Sequence, residues 1–441
     1  MSKIRRGLTD KARRELIGTF IGRNKKMAAV RDMQPSAARV PDALCDFEKF
    51  EEYQKLEISR MAAKKFGLEN PYFHMHDGIA GATTRIGGKE FINFSSYNYL
   101  GLSGHPAVNR AAHEAIERYG TSAGASRLVA GERLVQRELE EELAKLYGVD
   151  DCVVFVSGHA TNVTTIGCLF GPKDLIVHDA LIHNSVLEGA KLSGATRRSF
   201  PHNNPEALDA LLSSIRGKFA RVLVVIEGHY SMDGDIPDLP RFIEVKNRHK
   251  AFLMVDEAHS LGVLGATAAG IREHFGVAGR DADIWMGTLS KALAGCGGFI
   301  CGSRALVDHL KYAGPGFVYS VGISPLLAAA SLAALRLMQA EPERAERLRA
   351  RTKLFLEKLQ AGGIDTGLSE GYAIVPVIVK SSTKAVRLSN ALFGKNINVQ
   401  PIIYPAVEEK AARLRFFVSS EHTQEQVEQT ATVVVGEVKG K

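Results

Sequence analysis

Apolar positions along the chain follow two rhythms. Between about residues 105 and 340, short runs rich in β-branched side chains alternate with helical stretches. The runs are CVVFV (152–156), LIVH (175–178), RVLVVIE (221–227), AFLMVDE (251–257), ADIWMG (282–287) and GFICG (298–302). Helical spacing marks 133–147, 160–169, 184–193 and 205–216. Strands that are apolar at nearly every position have no solvent face, so the pattern predicts a mainly parallel sheet covered on both sides by helices. Ligands of such sheets bind where loops converge at the carboxyl ends of the strands.

After a long helix expected near 323–361, the rhythm changes. Strand-like YAIVPVIV (372–379), helix-like TKAVRLSNALF (383–393), strand-like NVQPII (398–403) and RLRFFVS (413–419), and a helix from about 423 predict a compact α+β domain. Upstream, GATTRIGGKEFINFS (81–95) reads as a hairpin turning at Gly87-Gly88, and the polar stretch 46–67 as a helix. The expected organisation is a basic N-terminal arm over 1–45, an N-terminal segment of the small domain over 46–104, a large domain over 105–340 and a C-terminal small domain over 341–441.

A chain of 441 residues, 45% of them hydrophobic, can bury a substantial core. Its longest apolar stretches, such as LLAAASLAAL (326–335), are too short to span a bilayer, so no integral membrane segment is expected. The five cysteines lie scattered, without CxxC spacing or a matching histidine set. That usage predicts reduced thiols in a cytoplasmic protein, with no disulfide framework and no metal site. No nucleic-acid motif is present.

The net charge of +7 is concentrated near the start. Lys3, Arg5, Arg6, Lys11, Arg13, Arg14, Arg23, Lys25, Lys26 and Arg31 face only Asp10 and Glu15 over residues 3–31, and Leu16, Ile17, Phe20 and Ile21 recur at helical spacing among them. Three readings are open for this arm: a solvated tail, a docking surface for an acidic partner, or a transit peptide. A carrier protein, coenzyme phosphates or anionic lipid would each be acidic enough.

Three segments each fall just past a predicted strand. VDEAHSLGVLG (255–265) puts Asp256 at a strand end, TLSKALAGCGG (288–298) puts Lys291 just beyond one, and VSGHATN (156–162) turns through Ser157-Gly158 into a helix. A lysine whose surroundings lower its pKa can form a Schiff base with an aldehyde cofactor. A carboxylate facing a pyridine nitrogen keeps it protonated, so that the ring withdraws electrons from a carbanion. A helix N-terminus offers unpaired N–H groups to a phosphate. Each piece has an ordinary alternative, a helix-starting surface lysine or a capping aspartate. Together, at strand ends, they point to pyridoxal 5'-phosphate (PLP).

Further motifs carry a family resemblance from roughly residue 90 to 436: NFSSYNYLGLSGHP (93–106), EGHYSMDGD (227–235), and the segments around Asp256 and Lys291. The chain resembles the α-oxoamine synthases, which include 8-amino-7-oxononanoate synthase, 2-amino-3-ketobutyrate CoA ligase, 5-aminolevulinate synthase and serine palmitoyltransferase. HMHDGIAGATTRIGGKEF (74–91) and YGTSAGASRLVAGE (119–132) look most like the modules of this family attached to polyketide synthases.

The resemblance implies an α/β, fold-type I PLP-dependent transferase (aspartate aminotransferase-like), and an acyltransferase. Its reaction is the decarboxylative condensation of a small amino acid (glycine, alanine or serine) with an acyl thioester on coenzyme A or acyl-carrier protein. An α-aminoketone, CO2 and free thiol are the products. A homodimer with shared active sites is implied as well. Competing readings are another fold-type I PLP enzyme, an aminotransferase or lyase, and a non-catalytic partner subunit.

Carried over by motif, Lys291 is the Schiff-base lysine and α-proton base, and Asp256 pairs with the pyridinium nitrogen. His259 and Ser231 hydrogen-bond the ring O3′, and His183 stacks on the ring. Thr288 and the amides of Gly158 and His159, in the turn that Ser157 opens, hold the phosphate. Ser320 reaches the phosphate of a neighbouring subunit. Asn98 approaches substrate, and Arg415 grips the amino-acid carboxylate. Two departures stand out: His159 replaces an aromatic residue, and Ile403 in PIIYPAV (401–407) stands where one branch has an arginine. His202 and His229 have no assigned role.

Overall fold

A computed structural model describes residues 41–440 except residue 66. The basic arm therefore lies outside the described residues, apart from its last five. The chain divides into two compact units, Met1–Gly67 and Leu68–Lys441. In the first, a helix spans Glu51–Lys65. It carries the exposed ion pairs Lys55–Glu51 and Arg60–Glu57 on successive turns.

The second unit holds three sheets. Strands β1 (His76–Asp77), β2 (Thr83–Ile86) and β3 (Lys89–Asn93) precede the large sheet. That sheet is built from β4 (Asp151–Phe155), β5 (Leu175–Asp179), β6 (Thr196–Phe200), β7 (Val222–Glu227), β8 (Phe252–Asp256), β9 (Ile284–Thr288) and β10 (Gly298–Gly302). Its order is β4-β10-β9-β8-β7-β5-β6, and only β10 runs antiparallel to its neighbours. The C-terminal strands are β11 (Ile374–Ile378), β12 (Ile397–Asn398), β13 (Pro401–Ile402) and β14 (Arg413–Phe417).

The continuous apolar runs are explained by two separate cores. Cys152, Val154, Val224, Leu253, Val255 and Trp285 project into one, while Val153, Phe155, Leu223, Val225, Met254 and Met286 project into the other. Alternate residues of each strand thus leave water on opposite faces, and both faces need apolar side chains. The predicted hairpin forms by antiparallel pairing of β2 with β3, and Gly87 and Gly88 close it with φ of +57° and +78°. Two-residue pairing of β12 with β3 ties this N-terminal hairpin to the C-terminal part.

Two readings of the pattern change. The long helix expected near 323–361 is two helices, Pro325–Ala340 and Glu343–Ala361. Pro342 breaks it, because its ring removes an N–H and crowds the preceding turn. An unexpected edge strand, β6 (TRRSF), exposes its middle residues and so has no apolar run to betray it. No helix among the described residues is long and apolar enough to cross a membrane.

Candidate active site

Five parallel strand ends converge on one edge of the large sheet. Glu227 and Asp256 close β7 and β8 and are register partners, so both carboxyls project to the same face. Thr288 closes β9, and the connection from β9 back to the antiparallel β10 carries Lys291. Past β4, Ser157 caps the helix Gly158–Leu169, its Oγ accepting the Ala160 N–H at 3.4 Å.

These residues enclose a cavity of about 190 Å³ lined by Ser157, Gly158, His159, His183, Asp256, His259, Thr288 and Lys291. All eight come from the sequence reading. Asn162, Ser185, Glu227, Ala258, Met286 and Ser290 also line it, and that reading missed them. Glu227 was within sight, as it opens the EGHYSMDGD motif at a strand end. A larger chamber of about 510 Å³ opens on the other side of Lys291, between Tyr97, Asn98, His74, His76 and Gln400.

The polar contacts are specific. Asp256 accepts the Asn162 amide at 2.9 Å and the Ala258 N–H at 3.0 Å. His259 is buried, with Nδ1 2.7 Å from the Tyr99 hydroxyl, and its ring lies nearly parallel to Phe417. His183 Nδ1 sits 2.8 Å from Ser185 Oγ. Thr288 Oγ1 donates to the Gly297 carbonyl at 2.9 Å. Lys291 Nζ stands 5.6 Å from the centre of the Tyr97 ring.

Burial dominates the electrostatics. It lowers the Lys291 ammonium to about 8, although Asp256 and Glu227 pull the other way. A fraction of this amine is therefore free to act as nucleophile or base near neutral pH. Burial likewise lowers His183 and His259, with Lys291 and Arg415 adding to the effect on both. Glu227 moves upward to about 8, from burial first and then the charge of Asp256.

Other predicted residues lie at or beyond the rim. Arg415, on β14, donates to the Ser231 carbonyl at 2.7 Å and packs over Phe417, while its buried Nε has no partner. Ser231 is buried, and its N–H donates to Glu227 at 3.0 Å. Asn98 spends its amide on the Ala80 carbonyl and on Ser103. Ser320 is half-buried, does not line the cavity, and donates to its neighbour's carbonyl at 3.4 Å. His202 bridges Asp179 and Asp235 at 2.8 and 3.0 Å. His229 is fully buried with both ring nitrogens unpartnered, and burial lowers it to about 4.

The donor set fits PLP. Gly158 is packed so closely that a Cβ there would stand 2.9 Å from Thr288 Oγ1, leaving a bare backbone cradle at a helix N-terminus. A carboxylate, a depressed lysine and a histidine ring line the same small space.

Comparisons with known proteins agree. Residues 89–434 match the family described as aminotransferase class I and II. The chain is 37% identical over 381 residues to 8-amino-7-oxononanoate synthase of Thermoanaerobacter pseudethanolicus, covering 86% of this chain and 93% of that protein. It is also 37% identical over 347 residues to a 4-hydroxy-2,2'-bipyrrole-5-methanol synthase of Serratia, covering 79% of this chain and 53% of that one. Serine palmitoyltransferase of Sphingomonas wittichii superposes with a TM-score of 0.85 at 29% identity, over 90% of this chain and 99% of that one. A serine palmitoyltransferase holding PLP as an internal aldimine gives 0.84 at 28% identity, with the same coverage.

Proposed function

Since the chain belongs to the class I and II aminotransferase family, and within it to the PLP-dependent α-oxoamine synthases, we propose that this cavity condenses glycine, alanine or serine with an acyl thioester. The thioester is carried on coenzyme A or on an acyl-carrier protein. Bound PLP supplies an electron sink for the negative charge that develops at the amino-acid α-carbon.

The chain's own residues do the rest. Lys291 would hold the cofactor through its amine, and its depressed basicity suits Nζ to take up the α-proton. Asp256 holds a proton on the pyridine nitrogen, itself oriented by Asn162 and the Ala258 N–H. His183 would hold the ring from the cavity wall, and His259 and Ser231 would serve its O3′ oxygen. The N–H groups of Gly158 and His159, with Thr288, hold the phosphate. Arg415 has a free Nε and a second Nη to grip the substrate carboxylate as a fork. Asn98 borders the chamber through which the thioester approaches. The arginine clamp and His183 would together fix the orientation in which the amino acid is held.

Ser320 would serve the phosphate of a second copy, since it does not line the cavity of its own chain. Tyr319 and Val321 beside it, 88% and 49% exposed, and Val129, 81% exposed, give that copy an apolar surface to cover. We take the enzyme to be a cytoplasmic homodimer, in keeping with five free thiols.

The depressed lysine beside Asp256 in one enclosed space carries this reading. CO2 and free thiol should appear together only when amino acid and acyl thioester are both present. Lys291→Ala should abolish turnover and the visible absorption of the bound cofactor. Release of a keto acid without thiol would instead make the chain an aminotransferase.

A further inference from the structure

One buried carboxyl at the site has no role in the reaction described above. Glu227 ends β7 directly beside Asp256, its register partner on β8. Backbones of paired strands lie ~4.8 Å apart, so two carboxyls share a small water-poor space. Asp256 has the Asn162 amide and the Ala258 N–H to stabilise its charge. Glu227 has only one donor, the Ser231 N–H on Oε2, and its other oxygen, Oε1, is buried without a partner. Two such neighbours do not both ionise readily, and the one with fewer donors keeps the proton.

The same carboxyl begins a chain of contacts. Ser231 N–H rests on Glu227, and the Ser231 carbonyl accepts from Arg415 Nη1 at 2.7 Å. On the same face of β14, Arg413 grips the next carbonyl, Met232, at 3.1 Å and the Asp233 carboxylate at 2.7 Å. The turn after β7 is thus pinned between Glu227 and two arginines, and Arg415 takes its direction from it.

We propose that Glu227 is a positioning residue that stays protonated in the working enzyme, sets the turn at Ser231, and through that turn aims Arg415 at the amino-acid carboxylate. This rests on the reading of Arg415 as the carboxylate clamp. The charged and titratable groups facing Glu227 are Asp179 from β5, Asp256 from β8 and Lys291 beyond β9. His183 and His259 line the same cavity, His229 belongs to the turn, and Arg415 approaches from β14. Burial and the Asp256 charge place the Glu227 transition at about 8, so ionisation at higher pH adds a second negative charge beside Asp256. The arginine clamp is then drawn back toward the protein.

Infrared spectroscopy of the PLP-loaded chain tests the protonation directly. The wild-type minus E227Q difference spectrum should contain a protonated-carboxyl stretch at neutral pH that fades above about pH 8. Absence of that band would overturn the proposal. Amino-acid affinity, followed by the change in cofactor absorbance, tests the positioning. E227A should raise the KM for the amino acid about tenfold, the equivalent of one lost hydrogen bond, with kcat changed less. E227Q should recover most of that loss and, unlike wild type, show no rise in KM above pH 8. Equal alkaline profiles in wild type and E227Q would sink the idea. If R415K left the KM unchanged, the carboxylate clamp would fail instead, while the infrared result would still report on Glu227.

Discussion

His202 shows how much a single side chain can hold without touching substrate. It is held between Asp179 and Asp235, and Tyr230 and the Asn203 N–H also donate to Asp179. Burial alone would lower this imidazole, but the two carboxylates outweigh it and raise it to about 10. Because the folded-state value lies above the usual 6.5, the ion pairs stabilise fully below about pH 6.5 and weaken as pH climbs towards 10. His202→Ala strands two buried carboxylates and should cost about 3 kcal/mol at neutral pH, read as a lower denaturant midpoint. Wild-type stability should fall between pH 7 and 10, and the variant's should be flatter; parallel curves would remove the charged histidine from the account. Nothing in PHNNPE announces this role, since its partners come from the end of β5 and from the turn after β7. Lys291 and Asp256 were legible because their chemistry is tied to a local motif. Glu227 was harder to read because its raised value comes first from burial in the folded chain and then from Asp256, 29 positions away.

The helix Gly158–Leu169 is defined by its first turn. Ser157 caps it, Thr161 Oγ1 returns to the Ser157 carbonyl at 2.8 Å, and Gly158 lets β9 approach. Gly158→Ala would force Thr288 Oγ1 off the Gly297 carbonyl or push the turn outward. Cofactor affinity should drop about tenfold because the phosphate cradle is displaced, and the overpacking should also lower the thermal stability of the cofactor-free chain. An unaltered PLP affinity would mean that the phosphate lies elsewhere. Continuous apolar runs identified six strands of the large sheet because burial on both faces leaves a one-dimensional signature. β6 escaped because an edge strand carries no such signature, and Pro342 was overlooked inside a stretch that is otherwise helical on both sides.

In the proposed homodimer, Ser320 and the exposed Tyr319 and Val321 belong to the surface that meets the second copy. Sedimentation should give about twice the 47.9 kDa chain mass. Mixing Ser320→Ala chains with Lys291→Ala chains should give hybrid dimers with at most one intact site; full activity in the Ser320→Ala protein alone would rule out sharing through this residue. Local order was the province of the sequence: which runs are strands, where a helix begins, and that a lysine and an aspartate stand at strand ends. Those follow from burial period and capping, which neighbours in the chain decide. Strand order, the reversal of β10, the pairing of Glu227 with Asp256 and the grip of β14 on the turn at Ser231 came only with the folded chain. They join residues up to 184 positions apart, and long-range pairing is settled by which surfaces exclude water together rather than by any local preference.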